Sequence, residues 1–95
     1  MIINKHVMPL LIRENRICDL AISHLKDKLG LFEIKYKISS DDFYRLFNDG
    51  KAGDDEDMFE WKALIEGIHE WQQSKKQLNF FINDLQVEKV NNHND

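Results

Sequence analysis

The sequence predicts an all-α fold: two long antiparallel helices joined by a short helix and an acidic hinge, completed by dimerisation or by a partner. Three observations predict it. Trp61, Leu64, Ile68, Trp71, Lys75, Leu78, Ile82 and Leu85 are spaced 3-4-3-4-3-4-3, a heptad seam in which seven of eight positions are apolar. Ile17, Ala21, Leu25, Leu29, Phe32 and Tyr36 recur every three or four residues, as one face of a helix does. One Pro and four Gly in 95 residues leave few tight turns.

The first helix is expected to begin at Pro9, whose missing N–H costs nothing in a first turn. Gly30 weakens it from within. A strand pattern competes at its end, where Phe32, Ile34, Tyr36 and Ile38 alternate with Glu33, Lys35 and Lys37. Helix is the better reading, because a lone strand has nothing to pair with. Ser39-Ser40-Asp41-Asp42 reads as a new helix start, with hydroxyls to cap free N–H groups and carboxylates at the positive end of the dipole. This second helix is short, carries Phe43, Leu46 and Phe47 on one side, and stops at Gly50. Gly50-Lys51-Ala52-Gly53 forms a turn. The third helix is expected from about Asp55 to Leu85, on the order of 45 Å at 1.5 Å per residue. Residues 1–90 therefore read as one helical domain and 91–95, Asn-Asn-His-Asn-Asp, as a disordered polar tail.

Composition narrows the function. A hydrophobic share of 42% excludes global disorder. The single cysteine, Cys18, excludes an internal disulfide framework and fits a reducing compartment. No segment approaches a signal peptide or a membrane span, so a cytoplasmic, membrane-free protein is expected. Net charge is −4 but unevenly spread. Residues 1–37 carry seven Lys/Arg against four Asp/Glu, residues 38–57 two against seven, and residues 58–95 four against six. Without a sustained basic face nucleic acid is an unlikely partner, and a basic protein is the better match.

Chemistry is sparse. Around Gly50 and Gly53 a calcium loop fails in both registers: with Gly53 sixth, positions one, three and five are Asn48, Gly50 and Ala52 and position twelve is Phe59; with Gly50 sixth, Arg45 is first. Glu66 and His69 have the spacing of a di-iron motif, but there is one copy and it lies off the apolar seam. Cys18 and His24 are six residues apart and do not share a face, so Cys18 reads as a small core hydrophobe. No phosphate-cradling loop or nucleophile–base pair occurs. The chain reads as a non-enzyme that needs no cofactor and no metal.

The hinge Gly50-Lys51-Ala52-Gly53-Asp54-Asp55-Glu56-Asp57-Met58-Phe59-Glu60-Trp61 holds more acid than a helix start requires. One capping carboxylate contributes about 1 kcal/mol. Four adjacent acids repel one another, so the surplus is read either as solvated capping or as a docking surface for a basic partner.

Ser39-Ser40-Asp41-Asp42-Phe43-Tyr44-Arg45-Leu46-Phe47, then Gly50, then Gly53-Asp54-Asp55-Glu56-Asp57-Met58-Phe59-Glu60-Trp61, resembles a pattern SSEEFYxxFxxGxxGDDxDxxEW of small bacterial and archaeal proteins. These are the antidote partners of toxin–antitoxin pairs. The resemblance covers roughly residues 36–71; Ile38 and the Leu78–Val90 extension depart from it. It implies an all-helical protein that binds and silences a toxin, typically a nuclease, with no catalytic or cofactor residues.

The expected partner contacts are Asp54, Asp55, Glu56 and Asp57 on the hinge and Trp61, Trp71, Phe80, Phe81 and Leu85 on the last helix. Phe80, Phe81, Ile82, Leu85, Val87 and Val90 are expected to lie beyond the reach of the first arm, where wet apolar surface is costly. Trp61 and Trp71 are large enough to anchor an interface, but a place in the core of the seam is the better reading of both. The functional expectation is a protein-binding, antitoxin-like module meeting a basic partner through its acidic hinge and apolar C-terminal arm, and dimeric when alone. The alternative is a self-associating helical bundle or coiled coil, with Lys75 setting its register.

Overall fold

The structure, a computed structural model, describes residues 6–93, with side chains described for residues 6–86. These residues form three helices: α1 (Val7–Tyr36), α2 (Ser40–Asn48) and α3 (Glu56–His93). The fold is all-α. The two long helices run antiparallel as a hairpin 61 Å long and 22 by 17 Å across, and α2 packs on the first half of α3.

Each boundary has a local cause. Tyr36 ends α1 because Lys37 turns into the left-handed region (φ 58°) while its N–H still reaches the Glu33 carbonyl at 2.8 Å. Residues 31–36 are therefore helix, and the alternating pattern there does not become a strand. Ser39 caps α2, its hydroxyl accepting from the Asp42 N–H at 3.1 Å. At the other end Gly50, at φ 73°, lets the Lys51 N–H reach the Leu46 carbonyl (2.8 Å) and the Gly50 N–H reach Phe47 (3.0 Å). That pair of bonds is a Schellman stop, and the positive φ explains the glycine. Helix α3 continues through His93, past the expected end at Leu85, so residues 91–93 of the expected disordered tail have helical backbone. No Pro or Gly follows Gly67, and each added residue gains a backbone hydrogen bond. Asn94 and Asp95 lie outside the described residues.

The stripe of α1 that meets α3 is not the one the first spacing suggested. Leu11, Asn15, Cys18, Ile22, Leu25, Leu29, Phe32 and Tyr36 are all buried or half-buried, spaced 4-3-4-3-4-3-4, whereas Ile17 is exposed. Three successive steps of four rotate the row by about 120° on a 100°-per-residue helix and carry it off the interface; alternating threes and fours keep it on. Opposite lies the predicted α3 seam, every position of it buried or half-buried except Trp71, which is exposed. Asn15 bonds Asn79, Asp19 pairs with Lys75, Leu25 approaches Gly67, and Phe32 stacks on Trp61, which fixes the register along the hairpin. Lys75 is thus held within its own chain.

That register corrects one expectation. Because α1 begins at Val7 it reaches the far end of the seam, and Ile82 and Leu85 are buried rather than left beyond the first arm. The side chains of Val87 and Val90 lie outside the described residues.

Candidate functional site

The three helices converge on Trp61. Its ring, fully removed from water, lies 3.9 Å from Phe43 and within 2° of parallel, with Phe32 and Tyr36 of α1 stacked at 5.6 and 5.7 Å between centroids. Such aromatic pairs contribute about 0.5–1.5 kcal/mol each beyond burial. The indole N–H donates to the buried Ser40 hydroxyl at 2.9 Å, and the Ser40 N–H donates to Glu33 Oε2 at 2.8 Å. One serine therefore links all three helices. Ser40, Phe43 and Trp61, three positions of the motif, are architecture.

Tyr44 docks α2 further along. Its hydroxyl donates to Glu66 Oε2 at 3.2 Å and its ring meets His69 edge-on. Glu66 and His69, off the apolar seam, thus meet α2 through Tyr44. Among the described residues no group of three His, Cys, Asp or Glu side chains could hold a metal ion, and no helix is long and apolar enough to cross a membrane.

The acidic hinge divides into two parts. Asp57 is spent internally: Oδ2 accepts from Lys35 Nζ at 2.7 Å and from the Tyr36 hydroxyl at 2.5 Å. The two donated hydrogen bonds hold its carboxyl below the ordinary carboxylate value, Lys35 first. In return the Asp57 bond holds the Lys35 ammonium and the Tyr36 phenol above theirs. Asp54, Asp55 and Glu56 are exposed and make no side-chain hydrogen bond or ion pair among the described residues. Asp55 occupies the capping position, but it is its backbone carbonyl that accepts the Met58 N–H, at 2.9 Å.

Beside Asp55 a shallow cavity of about 270 Å³ opens between the ends of α1 and α2 and the start of α3. Buried Phe43, Met58 and Trp61 wall it, Ile38 and Leu46 flank it, and Asp55 and Lys51 stand at its exposed edge. It is smaller and more open than sites that enclose a small molecule, and suits a single inserted side chain. Phe59, exposed, extends the apolar surface at this end.

The expected contacts therefore separate. Trp61 and Leu85 are buried in the intramolecular core, the first within the aromatic stack and the second along the hairpin seam. Asp57 is half-buried in its clasp with α1. Asp54, Asp55 and Glu56 stay free at the hinge. Trp71 is exposed near the middle of α3 and Phe80 and Phe81 further along it, all three remote from the hinge in sequence. The cavity escaped sequence reading because its walls come from three separate helices. No family model, characterised protein or solved structure matches the chain.

Proposed function

We propose that the chain is a non-enzymatic protein-binding module of the antitoxin kind, whose hinge end receives a basic, nuclease-type toxin. The observation that carries this reading is the juxtaposition of an open apolar cavity with Asp55, which, like its sequence neighbours Asp54 and Glu56, forms no internal side-chain bond among the described residues. An apolar side chain of the partner enters the cavity, and neighbouring Lys or Arg groups relieve the mutual repulsion of Asp54, Asp55 and Glu56. The resemblance of residues 39–61 to antidote proteins supports the same reading. Trp71, Phe80 and Phe81 offer a second apolar contact along the distal arm.

The test is affinity capture of the tagged full chain from its native host, repeated with Asp54→Asn/Asp55→Asn/Glu56→Gln and with added salt. The expected outcome is one stoichiometric basic protein, bound more than about tenfold more weakly by the variant and released as salt screens the charges. Absence of any basic partner, or binding indifferent to both changes, would sink the proposal.

A further inference from the structure

Helix α1 carries a second row opposite its seam to α3. Ile17, Leu20, His24, Asp27, Leu31 and Ile34 are spaced 3-4-3-4-3, and all six are exposed. Leu20, Leu31 and Ile34 are 66%, 68% and 75% accessible. Four apolar residues and a His–Asp pair with coiled-coil spacing make an unpartnered helix face rather than scattered surface hydrophobics.

We infer that this face pairs with the same face of a second copy, the two α1 helices running antiparallel about a two-fold axis. A row that alternates threes and fours is its own complement when reversed. In one register Ile17 faces Ile34, Leu20 faces Leu31 and His24 faces Asp27 of the second copy, each contact occurring twice by symmetry. Every apolar residue meets an apolar residue, and every polar residue meets one of complementary chemistry. A shift of one heptad in either direction sets Asp27 against Ile17 or Leu31 and His24 against Leu20 or Ile34, which leaves polar groups buried without partners. The polar pair in the middle of the row therefore selects the register, as single polar layers do in coiled coils.

Two further features suit a second copy. Gly30 borders the row, and a Cβ built there meets nothing of its own chain within 4 Å, so the helix-propensity penalty of this glycine has no cause inside the monomer. In the proposed register Gly30 comes beside Ser23 of the second copy, a small pair that lets the backbones approach. Area is not limiting. The chain exposes 7406 Å², against about 5,700 Å² for a compact protein of its 11.3 kDa mass, and a standard interface removes only about 800 Å² per partner. The inference does not rest on the hinge-end reading. The α1 row and the hinge cavity have no residue in common, and either can fail while the other stands.

The experiment is sedimentation of the full chain over a range of about 1–500 µM, with circular dichroism on each variant to confirm that the exposed substitutions leave the hairpin folded. Wild type is expected to be a reversible dimer, and Leu20→Asp a folded monomer. His24→Glu sets Glu against Asp27, and Asp27→Lys sets Lys against His24; each alone weakens the dimer at least about tenfold. The double variant His24→Glu/Asp27→Lys restores a complementary pair and returns the affinity to within about threefold of wild type. A monomer at all concentrations overturns the inference. So does a dimer that survives Leu20→Asp, one lost instead on Phe81→Asp, or a double variant no tighter than the singles.

Discussion

The Trp61 indole N–H is sealed among aromatic rings and reaches only the Ser40 hydroxyl. Ser40→Ala removes one oxygen, keeps the helix, and leaves that N–H buried without an acceptor. Losing one partner of a buried bond costs about 1–3 kcal/mol. For a domain of this size each kcal/mol lowers Tm by roughly 4–8 °C. Chemical denaturation of Ser40→Ala should show a lower midpoint with an unchanged slope; a loss below about 0.5 kcal/mol would mean that water replaces the serine. Ser40 was legible in the sequence as part of a helix start, but the hydroxyl that caps α2 is that of Ser39. The partner of Ser40 lies 21 residues away on another helix, which no local pattern encodes.

Between elements, Asp57 at the start of α3 holds Lys35 and Tyr36 at the end of α1 and so closes the hairpin beside its hinge. The fold favours the carboxylate of Asp57 and the protonated forms of Lys35 and Tyr36. Stability from Asp57 is present above the ordinary carboxylate pKa and is lost as pH falls through its depressed value, below about pH 4. Stability from Lys35 and Tyr36 is complete below their ordinary values and is lost as pH rises through the raised ones, above about pH 10. Thermal melts of wild type and Asp57→Asn should therefore differ by a constant margin, wild type higher, between pH 5 and 9. The margin should shrink at both extremes. A difference that persists undiminished at pH 2.5 would show that the clasp acts through packing and not through charge.

Along the whole molecule the two halves of the hairpin are unequal. Near the hinge, Leu25, Leu29, Phe32 and Tyr36 face Trp61, Leu64 and Ile68, and α2 covers the outside. In the distal half the seam takes in the Asn15–Asn79 and Asp19–Lys75 pairs, and the Asn15 carbonyl oxygen is buried without a protein partner. Polar layers add less than apolar ones and α2 does not extend over them, so local opening should begin there. Hydrogen exchange, measured well below any dimerisation constant, should find the slowest amides at residues 25–36 and 57–68. Residues 8–20 and 74–86 should exchange faster; uniform protection would contradict this division.

Periodicity and punctuation were enough to read the all-α class, the α3 seam, the serine start of α2 and the glycine that stops it. Each of these follows from backbone geometry within a few residues: heptad spacing, side-chain capping, positive φ at Gly50. The true stripe of α1 was present as well, but Cys18 and Asn15 are weak hydrophobic signals, and a row that continued instead through Ile17 and Ala21 looked stronger. What tertiary structure alone decided was the division of labour within one motif. Ser40, Phe43, Asp57 and Trp61 turn inward because three helices meet there, whereas Asp54, Asp55 and Glu56, adjacent in sequence, form no side-chain bond among the described residues and remain on the surface. The reason is distance: a core or a cavity is made by residues that a local pattern never places together.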